Sequence, residues 1–125
     1  MNQQPIGQFC WNELATHDMD KAKNFYSTVL NWNFKDNILD DGSVYTVIRA
    51  NGQDIGGIWQ APEDLQNPIQ PYWLPYLFVL NVAETLEKAK QNGAKEIKGV
   101  TTGTMGKFAV IMDPTGVKVA FWEAP

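Results

Sequence analysis

One cysteine and one histidine are all that the 125 residues hold of those two types. The lone Cys10 excludes an internal disulfide, and with His17 as the sole imidazole the chain is short of the soft ligands on which zinc and copper sites draw. Positive charge is also sparse: 10 Lys and Arg against 14 Asp and Glu leave a net charge of -4, and no two basic residues are adjacent. The chain therefore lacks the basic footprint that holds phosphate backbones, and no nucleic acid partner is expected. No stretch approaches the roughly 18 apolar residues of a membrane span, so no membrane partner is expected either. MNQQPIGQF lacks the positive and apolar regions of a signal peptide, and the expected address is the cytoplasm.

What the chain does contain is a globular balance, with 44% hydrophobic and 19% charged residues, away from the charge-rich composition of disordered chains. Its length is ordinary for one domain with one core. Aromatics reach 12%, including five Trp, and side chains of that size serve either a core or a pocket.

Residues 8 to 15 (QFCWNELA) predict a strand, after which Asp18 stands where a helix N-cap is needed. Met19, Ala22, Tyr26, Val29 and Leu30 recur on one helical face, with Asp20, Lys21, Lys23 and Asn24 opposite, which predicts an amphipathic helix of about three turns. Strands follow over 32–38, 44–50 and 54–59, separated by Asp40-Asp41-Gly42 and by Asn51-Gly52, a strong hairpin signal. From Gln60 to Pro75, the four prolines Pro62, Pro68, Pro71 and Pro75 predict a linker. A strand over 76–80 comes next, then a helix opened by Asn81 with Glu84 and closed by Gly93. A short strand over 94–98, a Gly- and Thr-rich loop (VTTGTMG), a strand over 107–112, the turn Asp113-Pro114-Thr115-Gly116 and a strand over 117–123 complete the chain.

The order strand, helix, strand, strand, strand thus occurs twice. Neither half covers both faces of its own sheet, so the expected class is α+β within a single domain, 1–125. Two tandem βαβββ modules, about 8–60 and 76–125 with the Pro-rich linker at about 61–75, would form curled mixed sheets around a central cavity with the helices outside.

The run WNELATHDMDKAKNFYSTVLNWNF, with an Asp opening the helix and a Phe-Tyr pair near its end, resembles the first strand and helix of the vicinal oxygen chelate superfamily, which includes glyoxalases, bleomycin resistance proteins and dioxygenases. YLFVLNVAETLEKAKQNGA and GKFAVIMDPTGVKVAFWEAP, with a DPxG turn before the last strand, resemble its second module. The similarity runs from about residue 8 to 125, and the WLPY stretch at 73–76 is most similar to the glyoxalase-like branch grouped with the Cfp30B mycobacterial antigen. The resemblance implies a small-molecule pocket and a homodimer, for which Tyr72 and Trp73 offer interface area. In metal-using members it implies ligands at positions that correspond here to Trp11, Leu74 and Ala120. None of those side chains ligates a metal, so the expected pocket is metal-free and holds no cofactor.

Period-two alternation puts Trp11 and Glu13 on one strand face, which the resemblance makes the cavity face. A carboxylate there is either a base or a ligand anchor with a raised pKa, or a solvated strand end paired with a lysine. By the same parity Trp59, Tyr76, Phe78 and Trp122 are either ligand-binding aromatics or plain core, and Val119 and Phe121 face the helix. Cys10 is expected on the helix-packed side, buried and inert without a base beside it. His17 is expected in an exposed loop next to the N-cap. Asp36, Asp40 and Asp41 lack the ligand alternation of a calcium loop and are assigned to a hairpin. The glycines of NGQDIGGI and VTTGTMGK fit no phosphate-loop spacing and are assigned to turns and close strand contacts.

Two function classes follow. One is a binding protein that sequesters a small apolar or aromatic metabolite. The other is an enzyme (lyase, isomerase or hydroxylase-like) using Glu13 or an unrecognised metal site. A partner domain for another chain is a third, weaker reading.

Overall fold

The computed structural model describes residues 5–63, 66 and 70–125. The amino-terminal residues 1–4 and Pro68 of the expected linker lie outside them. Two compact units are present: Trp11–Trp73, and Leu74–Pro125 together with the amino-terminal segment up to Cys10.

The first unit contains β1 (Phe9–Thr16, from Trp11 onward), α1 (Met19–Leu30), β2 (Asn33–Ile38), β3 (Val44–Ala50) and β4 (Gln53–Gln60). Its strands lie in the order β2-β3-β4-β1, with β1 parallel to β4 and the other pairs antiparallel. The Asp18 side chain accepts from the Lys21 amide at 3.0 Å, which is the predicted N-cap bond. Asn51 and Gly52, at φ 54 and 77, make the two-residue turn whose left-handed conformations favour those residue types. Leu14, Ile48 and Ile58 are the buried core on the α1 side, with Met19, Ala22, Tyr26, Trp32 and Phe34 packed onto it. Val29 and Leu30, predicted on the same helix face, are 58% and 50% exposed, so the apolar stripe is covered over its first turns only.

The second unit repeats this plan with β5 (Tyr72–Phe78, from Leu74 onward), α2 (Val82–Gln91), β6 (Lys95–Gly103), β7 (Gly106–Met112) and β8 (Lys118–Glu123). Its order is β5-β8-β7-β6, with β5 parallel to β8. Asn81 Oδ1 accepts from the Glu84 amide at 3.0 Å, and Gly93 at φ 97 follows the helix end. Val79, Val82, Leu86, Ala109 and Ile111 form the core against α2, with Val119 and Phe121 beside them, as the alternation requires. Both units are α+β, and their ladders correspond: Glu13, Gly57 and Val47 stand side by side in one, and Tyr76, Ala120 and Val110 in the other.

Two predicted boundaries are corrected. β5 begins at Tyr72, inside the expected linker, and includes Pro75. Pairing with β8 starts at Tyr76, so the missing N–H of Pro75 forfeits no bond to that neighbour. The amino-terminal segment adds to this strand, Gly7 N–H donating to Phe78 O at 2.8 Å and Phe78 N–H to Gln8 O at 2.9 Å. The expected loop over 100–106 is mostly strand, because β6 runs to Gly103. Register shifts between Glu96 and Thr101 absorb the extra residues, and Thr101 and Thr102 still pair with Phe108 and Lys107. Among the described residues, no helix is long and apolar enough to cross a membrane.

Candidate functional site

Leu14 belongs to the core under α1, so Trp11, Glu13 and Ala15 point to the other face of β1. Glu13 stands beside Gly57, and Gly57 beside Val47; Ala15, Trp59 and Tyr45 form the next row. Tyr45 leans out of its row and across Gly57. A Cβ on that glycine would fall 1.8 Å from the phenol oxygen and 2.2 Å from Cζ, so only glycine leaves room for the ring. From this seat the phenol O–H donates to Glu13 Oε2 at 2.9 Å, and its oxygen accepts from Trp11 Nε1–H at 3.0 Å. Burial first, and then the charge of Glu13, push the Tyr45 phenol far above its usual range, so it stays a neutral donor at physiological pH. The same two causes raise the Tyr72 phenol.

In the second unit Tyr76, Phe78 and Trp122 share the sheet face turned away from α2, opposite Phe121. Tyr76 and Phe78 are buried. Trp122 is half-buried, its ring 5.9 Å from that of Phe78, and its N–H donates to Met105 O at 2.8 Å. Phe108 lies 6.2 Å from Tyr76, with the Lys98 ammonium 5.3 Å from its ring centre. By the corresponding ladders Tyr76 occupies the place of Glu13, Phe108 that of Tyr45 and Trp122 that of Trp59. The carboxylate-centred chain of the first unit therefore has an aromatic counterpart in the second. Of the six predicted site residues, Trp11, Glu13 and Trp59 share a face of one unit, and Tyr76, Phe78 and Trp122 share a face of the other. Tyr45 and Gly57 are additions that sequence reasoning missed.

A family model described as the Glyoxalase/Bleomycin resistance protein/Dioxygenase superfamily matches residues 6–121. The chain belongs to this superfamily. CFP32, named as a candidate glyoxylase, is 30% identical over 116 residues in both Mycobacterium bovis and Mycobacterium tuberculosis, covering 91% of this chain and 44% of the relative. The chain thus spans less than half the length of those curated relatives. Among solved structures, methylmalonyl-CoA epimerase of Mycobacterium tuberculosis is similar at a TM-score of 0.67 and 16% identity, over 100% of this chain and 93% of that one. A variant of the Streptomyces coelicolor epimerase in complex with 2-nitronate-propionyl-CoA has a TM-score of 0.70 at 14% identity, over 96% of each chain. At such identities the likeness is one of fold.

The resemblance to metal-using members of the superfamily raises the question of a metal, and the donor set does not fit one. The Trp11 N–H is engaged by Tyr45, and Leu74 and Ala120 are buried hydrocarbon. Among the described residues no three His, Cys, Asp or Glu side chains are grouped to hold an ion. The Asp36 carboxylate bonds Lys23 at 2.8 Å and Thr46 at 2.6 Å, and both hold its pKa below the usual range, Lys23 the more. The Asp41 carboxylate takes the Ser43 hydroxyl and amide within its hairpin.

The Cys10 thiol contacts Tyr76 O at 3.5 Å, and burial pushes its pKa up, the reverse of an activated nucleophile. His17 is not the exposed loop residue expected. It is half-buried with Nδ1 3.1 Å from Ala61 O, and the Gln60 amide bonds its carbonyl. Because β4 runs parallel to β1, its end passes the β1–α1 turn and supplies these partners. A recess of about 280 Å³ opens on the α1 side of the same sheet, lined by Asn12, Trp32, Ile48, Ile55, Gly56 and Trp73. It contains none of the predicted site residues and lies on the sheet face opposite Glu13. We place the candidate site at Glu13, whose carboxylate is oriented by the Tyr45 phenol, itself held by the Trp11 N–H.

Proposed function

We propose that this superfamily member binds a small, flat, apolar or aromatic metabolite on the Glu13 face, without a metal. The observation that carries the reading is the Trp11–Tyr45–Glu13 chain, set among Ala15, Val47, Gly57 and Trp59 on β1, β3 and β4, with the polar Lys35 and Asn37 of that face on β2 beyond them. An apolar, aromatic patch around one oriented polar group has the composition of a ligand site. A core position gains nothing from a carboxylate, since withdrawing it from water is costly even when it is bonded. The aromatic face of Tyr76, Phe78 and Trp122 supports the same reading from the second unit.

A second reading is favoured by one observation: the Tyr45 O–H fixes Glu13 Oε2 at 2.9 Å, as a positioned general base requires. The name of CFP32 points the same way. The two readings separate on turnover, because a base exchanges a substrate proton with deuterated water and a sequestering protein does not.

The test is a thermal-shift screen of small metabolites on the wild type and on Glu13→Gln. A ligand specific to the folded state raises the melting temperature by mass action. A compound that stabilises the wild type and not Glu13→Gln supports the proposal. Equal stabilisation of both proteins, or none of either, overturns it. The homodimer that the family resemblance implies belongs to the same proposal.

A further inference from the structure

We infer that the recess on the α1 side of the first unit is a second binding site, for an uncharged, acceptor-rich fused heteroaromatic ring such as a purine base. The inference is independent of the Glu13 reading, which concerns the opposite sheet face. Phe34, Ile48, Gly56 and Asn12 stand side by side across β2, β3, β4 and β1. α1 packs onto the core that includes Leu14 and Ile58 of the next row, and Gly56 leaves a gap beside it. No side chain at position 56 can close that gap, because a Cβ there would fall 2.4 Å from the Asn12 carbonyl oxygen and force β1 and β4 apart. The result is the recess of about 280 Å³. An apolar cavity of about 150 Å³ holds one benzene, so the larger volume suits a fused bicycle.

Its walls are aromatic and held in place. The Tyr26 ring stacks on Trp32 at 4.9 Å and 21°, and Trp73 stands edge-on to both, 5.9 Å from Tyr26 and 6.2 Å from Trp32. Trp32 and Trp73 thus line the recess at 86° to each other, so that one can stack on a flat ring while the other meets its edge. Trp73 is 40% exposed, area that a bound ring would cover. The polar side-chain groups of the lining residues are mostly donors. The Asn12 amide and the Trp32 and Trp73 N–H groups make no hydrogen bond among the described residues. An Asn side chain offers two donor hydrogens and one carbonyl acceptor, and each indole one donor, so donors outnumber acceptors. No ionisable side chain lines the recess, so neither an anion nor a cation finds a partner in it. The complement is a flat, neutral ring whose nitrogens accept hydrogen bonds, and an Asn amide reads the adjacent donor and acceptor of an adenine edge in this way.

The decisive probes are adenine and indole, which share a fused bicyclic skeleton, whereas only adenine carries ring-nitrogen acceptors. A merely apolar recess favours indole, the less polar ring. Each is titrated into nitrogen-15-labelled protein while the indole N–H cross-peaks of the five Trp are followed. Trp32 and Trp73 report the recess, and Trp11 and Trp59 the Glu13 face. Adenine is expected to move the Trp32 and Trp73 peaks to saturation and to leave Trp11 and Trp59 in place. Its Kd should lie at least about fivefold below that of indole, the factor of one neutral hydrogen bond. Asn12 is exposed, so Asn12→Ala should fold. It should raise the adenine Kd about fivefold and leave that of indole within about twofold. If Asn12→Ala does not fold, the ratio of the two probes in the wild type carries the test alone. Indole binding as tightly as adenine, an adenine Kd unchanged in Asn12→Ala, or movement of Trp11 and Trp59 in place of Trp32 and Trp73 overturns the inference. So does an absence of movement at Trp32 and Trp73 with adenine at millimolar concentration. The Glu13 reading is decided by the thermal-shift screen, so the two sites fail separately.

Discussion

Gly57→Ala tests the architecture of the site at one atom. The backbone at Gly57 is not in the left-handed region, so alanine is tolerated there and by itself should favour the strand by about 0.5–1 kcal/mol. Its methyl group, however, would stand 1.8 Å from the Tyr45 oxygen, so the ring must leave. Two bonds go with it, Trp11 to Tyr45 at 3.0 Å and Tyr45 to Glu13 at 2.9 Å. A neutral bond contributes about 1 kcal/mol and a bond to a charged group about 1.5–3, so after the gain from alanine a net loss of about 1.5–3.5 kcal/mol is expected. Urea denaturation at neutral pH reads the stability, and the Trp11 indole N–H cross-peak reads the bond directly. Gly57→Ala within about 0.5 kcal/mol of the wild type, the usual spread of harmless surface changes, with an unmoved Trp11 peak, would refute the seating of Tyr45.

The other predictions concern pH, caps, metals and assembly. Because the folded-state pKa of Tyr45 lies above its ordinary 10.0, the unfolded chain ionises first. Stability should be full below that pH and fall above it by up to about 1.4 kcal/mol per pH unit. Melting temperatures that stay flat above pH 10.0 in the wild type would contradict this. Asp18→Ala and Asn81→Ala each remove an N-cap bond of 3.0 Å and should cost about 1 kcal/mol in urea titrations, with additive losses because the caps belong to separate units. Zinc, nickel or manganese should leave the melting temperature unchanged, and a chelator-reversible rise of several degrees would show that a donor set had been missed. The proposed homodimer should sediment at twice the monomer mass at tens of micromolar, and a single monomer-sized species would exclude it.

The features legible in the sequence are those written by short-range rules. Asp18 and Asn81 cap their helices, Asn51-Gly52 turns, and β3 spans 44–50 as expected, because each depends on residues within a few positions of one another. The parity of Trp11, Glu13 and Trp59 was equally readable, since alternation along a paired strand leaves two choices and Leu14 fixes which. Pro75 points to a linker by its residue type, yet a proline breaks a strand only where a neighbour needs its N–H, and pairing with β8 starts one residue later. The 100–106 segment looked like a loop because glycine and threonine also suit bulged strands. Tyr45 and Gly57 were hidden for a different reason. The Gly-Gly pair at 56–57 signalled close contact, but no local pattern says which side chain from another strand fills the space. His17 shows the same limit, as its partners come from β4, more than forty residues away.

The binding role turns on how Glu13→Gln divides its effect between affinity and stability. The substitution keeps the shape and removes the charge, so the protein should fold with a loss of about 1–2 kcal/mol from the weakened Tyr45 bond. For a ligand that stabilises the wild type, calorimetric titration should show the Kd raised at least about tenfold, because the lost contact is made to the ligand. Unchanged affinity combined with a loss of more than about 4 kcal/mol, the scale of core damage, would mean that Glu13 holds the fold rather than a ligand, and would contradict the proposed site.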